Sequence, residues 1–239
     1  MGPLTRLWVY LAQTPLLWLT VTVSVYAAAH WLHHRAHERA IFNPVLIAVA
    51  VIVAILLVTG TSYDTYFDGA QFAHFLLGPA TVALAVPLYA QLGKLRHLWL
   101  PVTVSLLAGS LTAIVSAGGL CWALGASRQT ILSILPKSAT TPIAMGVSEQ
   151  LGGLPSLTAV LVILTGILGA VTGTALLDLL RVRDEAARGF ALGVASHGIG
   201  TARAFQVSEE TGAFAGLAMG LNGALTAVLV PILARLVGL

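Results

Sequence analysis

Two stretches of this chain repeat at an offset of 60 residues, and both set polar groups inside long apolar surroundings. The first reads Leu135-Pro136-Lys137-Ser138-Ala139-Thr140-Thr141-Pro142, and the second reads Ala195-Ser196-His197-Gly198-Ile199-Gly200-Thr201-Ala202-Arg203. Sliding one onto the other pairs Arg128 with Arg188, Leu132 with Leu192, Thr141 with Thr201, Ala144 with Ala204, Ser148 with Ser208 and Glu149 with Glu209. Apolar segments interrupted by Gly and Pro at corresponding places in two repeats are the strongest sequence pointer to a binding site near a bilayer midplane.

The surroundings are a membrane's. The chain is 57% hydrophobic and 9% charged, against about 25% charged in an ordinary soluble domain. One soluble core could not hide that much apolar surface. Six stretches reach the spanning length of about 17–25 residues, the second barely: 7–29, 44–60, 72–91, 99–124, 156–180 and 213–237. The first is too long for a signal peptide and holds Gln13 and Pro15. The reading is one integral membrane domain over 1–239, with scaffold spans over about 1–124 and the repeat over about 125–239.

Charge in the loops orients it. Arg35 and Arg39, then Lys94 and Arg96, then Arg181, Arg183 and Arg188 follow the first, third and fifth spans and belong on the cytoplasmic side. The loop with Asp64 and Asp68 then lies outside. With the fourth span running outward and the fifth inward, the segment around 129–150 begins and ends outside. It enters the membrane and returns. Segment 187–210 does the same from the cytoplasm, so the two repeats are inverted. The fold expected is an all-α membrane protein of six spans plus two re-entrant hairpins; the alternative is eight full spans.

Hairpin tips of this kind supply an anion site. Gly198 and Gly200 admit close backbone approach, Pro136 and Pro142 break the helix, and half-helices beyond the breaks aim N–H groups and positive dipole ends at a ligand. Ser138, Thr140, Thr141, Ser196 and Thr201 add hydroxyls, and Lys137, Arg203 and His197 supply positive charge. Against this stands the reading of Lys137 and Arg203 as snorkelling side chains and of the hydroxyls as helix glue. His197 is the first candidate for a coupling proton, because histidine titrates nearest neutrality. Glu149 and Glu209 follow, and both fit equally as caps on the next helices. Asn43, Asp64 and Asn222 are supporting polar groups.

Other classes find little here. No phosphate loop, dinucleotide fingerprint, nucleophile elbow or His-Glu-x-x-His occurs, so an enzyme is not expected, nor any cofactor. The net charge of +3 sits in short loops and argues orientation, not nucleic-acid binding. Cys121 reads as a small buried hydrophobe. His30, His33, His34 and His37 fall at helical spacing beyond the first span, with only Glu38 as a nearby carboxylate, and no metal is assigned to them.

Several motifs carry a resemblance. Phe42-Asn43-Pro44, Thr59-Gly60-Thr61-Ser62-Tyr63-Asp64, Pro87-Leu88-Tyr89 and the two polar segments resemble the LrgB/CidB family of bacterial membrane proteins, from about Phe42 to the C-terminus. Family members often carry a charge after Pro-Leu-Tyr, where this chain has Ala90. The resemblance implies an inner-membrane, multi-pass protein, antiholin-like or holin-like in name, encoded beside a small LrgA/CidA-type partner. It also implies kinship with a plant plastid protein that resembles a glycolate/glycerate transporter, and with bacterial pairs implicated in pyruvate uptake.

Residues and resemblance together give the expectation of a secondary carrier for small 2-hydroxy or 2-oxo monocarboxylates (glycolate, glycerate, lactate, pyruvate), proton-coupled and dimeric. The alternative is an antiholin-like regulator of murein hydrolase activity and lysis with no transport of its own.

Overall fold

The computed structural model describes residues 15–36, 42–75, 83 and 85–239, and over these it is helical with no strand. The start of the first expected span, the centre of the third, and His37, Glu38 and Arg39 lie outside the described residues. The chain divides into two compact units, Met1–Ala83 and Leu84–Leu239.

The first unit holds α1 (Pro15–Arg35), α2 (Pro44–Thr59) and α3 (Tyr63–Phe75). Asn43 starts α2: its Oδ1 accepts from the N–H groups of Val45 (2.9 Å) and Leu46 (3.2 Å), and Pro44 occupies the first turn, where no N–H is missed. Gly60 ends the helix at φ 65, left-handed, returning its N–H to the Leu56 carbonyl. The Phe42-Asn43-Pro44 run is thus a helix start. Trp18, fully buried on α1, meets Tyr66 of α3 edge-on at 5.7 Å, and Thr22 bonds the Tyr66 hydroxyl at 3.1 Å.

The second unit holds α4 (Ala85–Ala90), α5 (Leu92–His97), α6 (Trp99–Ala123), α7 (Arg128–Ile134), α8 (Thr141–Gln150), α9 (Pro155–Leu179), α10 (Glu185–Val207) and α11 (Glu209–Leu236). Among the described residues, α6, α9 and α11 are long and apolar enough to cross a membrane, and α2 is a shorter apolar helix. They correspond to four of the six expected spans. In sequence order the repeat is α7–α8–α9 followed by α10–α11.

Both repeats double back. Ser208 Oγ, at the end of α10, donates to Glu185 Oε2, at its start, over 2.7 Å. A straight helix would hold those residues about 34 Å apart. Lys94 repeats the point, pairing with Glu210 and with Asp184 at 3.8 Å, one beyond each end of α10. The turn is made at Ser196 (φ −130, ψ 15) and His197 (φ 42, ψ −135), so α10 is two half-helices across a break. In the first repeat the break is longer, residues 135–140. There Thr158 Oγ1 joins the far arms, lying 3.0 Å from the Ser133 carbonyl oxygen and 2.8 Å from the Ser148 hydroxyl, all three residues being fully buried.

Candidate functional site

Prolines define the first tip. Neither Pro136 nor Pro142 can donate a helix hydrogen bond, so α7 stops at Ile134 and the chain crosses to α8 through two tight turns, Lys137 N–H to Ile134 O (3.1 Å) and Ala139 N–H to Pro136 O (3.0 Å). Thr140 then opens α8 without a side-chain cap, which leaves N–H groups of its first turn unclaimed by any capping side chain. Ser138 is buried; Lys137 is half-buried, its Nζ 3.3 Å from the Ser138 hydroxyl.

The second tip is built by close approach. His197 is 4% exposed and takes the positive φ itself, although Gly198 stands beside it. Its ring is held by Nε2 donating to the Val162 carbonyl of α9 at 2.9 Å, and its own carbonyl accepts from Thr201 Oγ1 at 2.9 Å. Two glycines on α9 make room. A Cβ on Gly166 would lie 2.7 Å from the His197 ring, and one on Gly169 would overlap the Ser196 hydroxyl. Gly200 serves the same packing, since its Cβ would meet Ser196 Cβ at 2.6 Å. The glycines expected to face a ligand therefore include one that faces protein.

Asn222 joins the tips. It is 1% exposed on α11, and its Nδ2 donates to the Ser138 carbonyl (3.0 Å) in the first break and to the Val194 carbonyl (3.2 Å) just before the second. Its Oδ1 accepts from Ser110 of α6 at 2.6 Å. Every polar atom of this amide is used on backbone that a break has freed, or on the helix alongside. In an apolar interior each such carbonyl left alone costs about 1–3 kcal/mol. Asn222 was legible only as a polar residue in an apolar run; Ser110, Val162, Gly166 and Gly169 gave no sign in the repeat alignment.

A cavity of about 630 Å³ leads to the first tip. Its walls are α6 (Leu98 to Ala113 on one face) and the first half of α10 (Asp184 to Ala195), and at one end stand Lys137 and Ser138. Gly109 of α6 packs on Val194 of α10 and brings the walls together. At the other end Asp184 and Phe214 line it, with Lys94 bonded to Glu210 and 5.9 Å above the Phe214 ring. The Glu210 hydrogen bond and the neighbouring carboxylates hold the Lys94 ammonium above the ordinary lysine range.

The remaining expected residues scatter. Arg203 does not line this cavity; its Nη1 donates to Gln206 at 2.8 Å and its buried Nε has no partner among the described residues. Thr140 and Thr141 are half-buried beside the tip, and Ser196 and Thr201 are buried in the second break. Glu149 and Glu209 are exposed, Glu149 in the last turn of α8 and Glu209 in the first turn of α11. Asp64 opens α3, exposed, in the other unit. His30 and His34 meet through Nε2 atoms 3.0 Å apart, and no group of three metal-binding side chains forms among the described residues.

Residues 22–236 match the LrgB-like family. The chain belongs to the LrgB family. It is 38% identical over 215 residues to YwbG of Bacillus subtilis (strain 168), covering 90% of this chain and 95% of that one. It is 31% identical over 226 residues to a protein named antiholin-like protein LrgB from Bacillus mycoides, covering 95% and 98%. A protein of the same name from Bacillus cereus (strain B4264) is 30% identical over the same extent. No solved structure matches. These names favour the second of the two functional expectations, the antiholin-like one, and say nothing of transport. LrgB membership and three apolar helices of spanning length make this a membrane protein.

Proposed function

We propose that this LrgB protein is a secondary carrier of small monocarboxylates in the bacterial inner membrane, and that an antiholin-like effect on lysis follows from the flux it controls. One observation carries the reading: an ammonium and a hydroxyl, Lys137 and Ser138, stand at the end of a cavity of about 630 Å³, on backbone broken out of its helix. Charge and irregular backbone at membrane depth are costly and are kept where they line a path. From Asp184 to Ala195 the half-helix is about 16 Å long, roughly half the hydrocarbon thickness, which suits a tip near the midplane. In this reading α7–α8 and α10 are re-entrant hairpins entering from opposite faces, and α6, α9 and α11 span.

Mechanism follows from the parts. Lys137 attracts and holds the carboxylate, and the Ser138 hydroxyl donates beside it. Asn222 keeps the two tips in register, so that movement of the hairpins against the scaffold spans exposes one site to alternate sides. His197, tied to Val162, acts chiefly as a strut; a coupling proton carried there requires that bond to yield. A small LrgA/CidA-type partner and a homodimer belong to this proposal.

The relatives' names support a second reading, a regulator of murein hydrolases that moves nothing itself. Purified protein in sealed vesicles separates the two. Saturable, competable uptake of glycolate or pyruvate means a carrier, leakage of dyes of many sizes means a pore, and neither means a regulator. Topology has its own test. Single cysteines at Ala126 and Gly153 in a Cys121→Ala background label from the same face if the segment is re-entrant, and from opposite faces if it crosses.

A further inference from the structure

The cavity has a second polar wall. On α6, Val102, Ser105, Gly109 and Thr112 fall at helical spacing on the face turned to the cavity. Several hydroxyls on the apolar helices of this protein turn back onto the carbonyl four residues earlier: Thr103 to Trp99 at 2.8 Å, Thr165 to Leu161 at 2.7 Å, Thr172 to Leu168 at 2.7 Å. Thr112 and Ser105 are exposed and line the cavity, and neither makes such a bond among the described residues. The Thr112 hydroxyl is not claimed by its own helix and is open to a partner inside the cavity.

Its level is fixed by its neighbour. Ser110, two residues away and about 3 Å along the helix axis, bonds Asn222, which bonds the Ser138 carbonyl. Thr112 therefore stands at the depth of the Lys137–Ser138 tip. Ser105, the other hydroxyl on this face, is about 10 Å nearer the mouth, beyond the reach of a two- or three-carbon acid held at Lys137.

We infer that Thr112 binds the oxygen on the second carbon of the substrate while Lys137 holds its carboxylate, and so sets a preference for 2-hydroxy acids over unsubstituted ones; this rests on the carrier reading. A threonine hydroxyl both donates and accepts. It satisfies a 2-hydroxyl fully, a 2-oxo group by donation alone, and a plain acid not at all. The order expected is glycolate before glyoxylate before acetate.

The test is uptake of these three acids into proteoliposomes by wild type, Thr112→Val, Thr112→Ser and Ser105→Ala. Thr112→Val should lower glycolate uptake about tenfold in kcat/KM, the scale of one lost hydrogen bond, and leave acetate uptake unchanged. Thr112→Ser should keep the wild-type order, and so should Ser105→Ala. An unchanged glycolate-to-acetate ratio in Thr112→Val overturns the inference while leaving the carrier standing. Equal loss for all three acids in Thr112→Val overturns it too, because the residue is then structural. If wild type takes up none of them, the carrier reading falls and takes this assignment with it.

Discussion

The two repeats share a topology and solve it with different chemistry. In the first, two prolines make the break, and the arms are joined by hydroxyls: Thr158 bonds Ser133 and Ser148. At the equivalent positions of the second stand Ala218, Gly193 and Ser208. There the arms are joined by closeness, since a Cβ on Gly193 would lie 2.8 Å from the Ala218 methyl, and Ser208 has become the cap of α11. Val162 and Asn222 are equivalent as well, and each serves the broken segment of the other repeat: Val162 holds His197 through its backbone, Asn222 holds Ser138 through its side chain. The two segments thus both double back while their residues diverge, and divergence is what lets one tip present Lys137 to a cavity while the other is locked onto α9.

The largest expected effect breaks the close-packed repeat. Gly169→Leu, giving α9 the residue that its counterpart carries at position 229, would drive a side chain through Ser196 and cost at least about 3 kcal/mol. Monodisperse protein should be lost from detergent extracts. Gly119→Ala, where a Cβ meets nothing, should leave yield and Tm alone.

Next comes the hydroxyl-joined repeat. Thr158→Val strands the Ser133 carbonyl and the Ser148 hydroxyl in a dry core and should cost about 1–3 kcal/mol, read as a lowered Tm with assembly intact. A Tm equal to wild type would mean that the hydroxyls do not hold this repeat.

A finer comparison sits at the second break. At φ 42 and ψ −135, His197 occupies backbone space that suits glycine. His197→Gly loses the Val162 bond but relieves the strain, so it should be more stable than His197→Ala by about 1 kcal/mol. The reverse order would show that the backbone there is unstrained.

The smallest effect concerns the cavity mouth. The Lys94 side chain is 39% exposed, so its ion pairs contribute at most about 1 kcal/mol. Its pKa is raised by Glu210, so the contribution is present below the ordinary lysine pKa and lost only as pH rises through the raised value. The stability difference between wild type and Lys94→Met should be small and flat from pH 6 to about 9. A difference that changes across that window would place the pairing elsewhere.

Much of this was legible in the sequence, and for stated reasons. The offset of 60 residues exposed the repeat, prolines marked the first break, and apolar length marked α6, α9 and α11. Lys137 and Ser138 were legible as polar groups out of place. What the sequence concealed are contacts between repeats. Nothing in a one-dimensional pattern says that Gly166 and Gly169 face the second break, or that a serine on α6 completes Asn222. Equal charge does not give equal orientation: Arg203 donates to Gln206 and does not line the cavity of Lys137. Asn43, a motif residue, caps the start of α2.

The central claim is that Lys137 holds a transported carboxylate. Purified wild type and Lys137→Met, reconstituted in sealed vesicles at equal density, should be compared for uptake of labelled glycolate with a trapped dye as leak control. The account predicts saturable uptake by wild type, a loss of tenfold or more in Lys137→Met, and full dye retention in both. Uptake by Lys137→Met equal to wild type, or no uptake by wild type above empty vesicles, would contradict it.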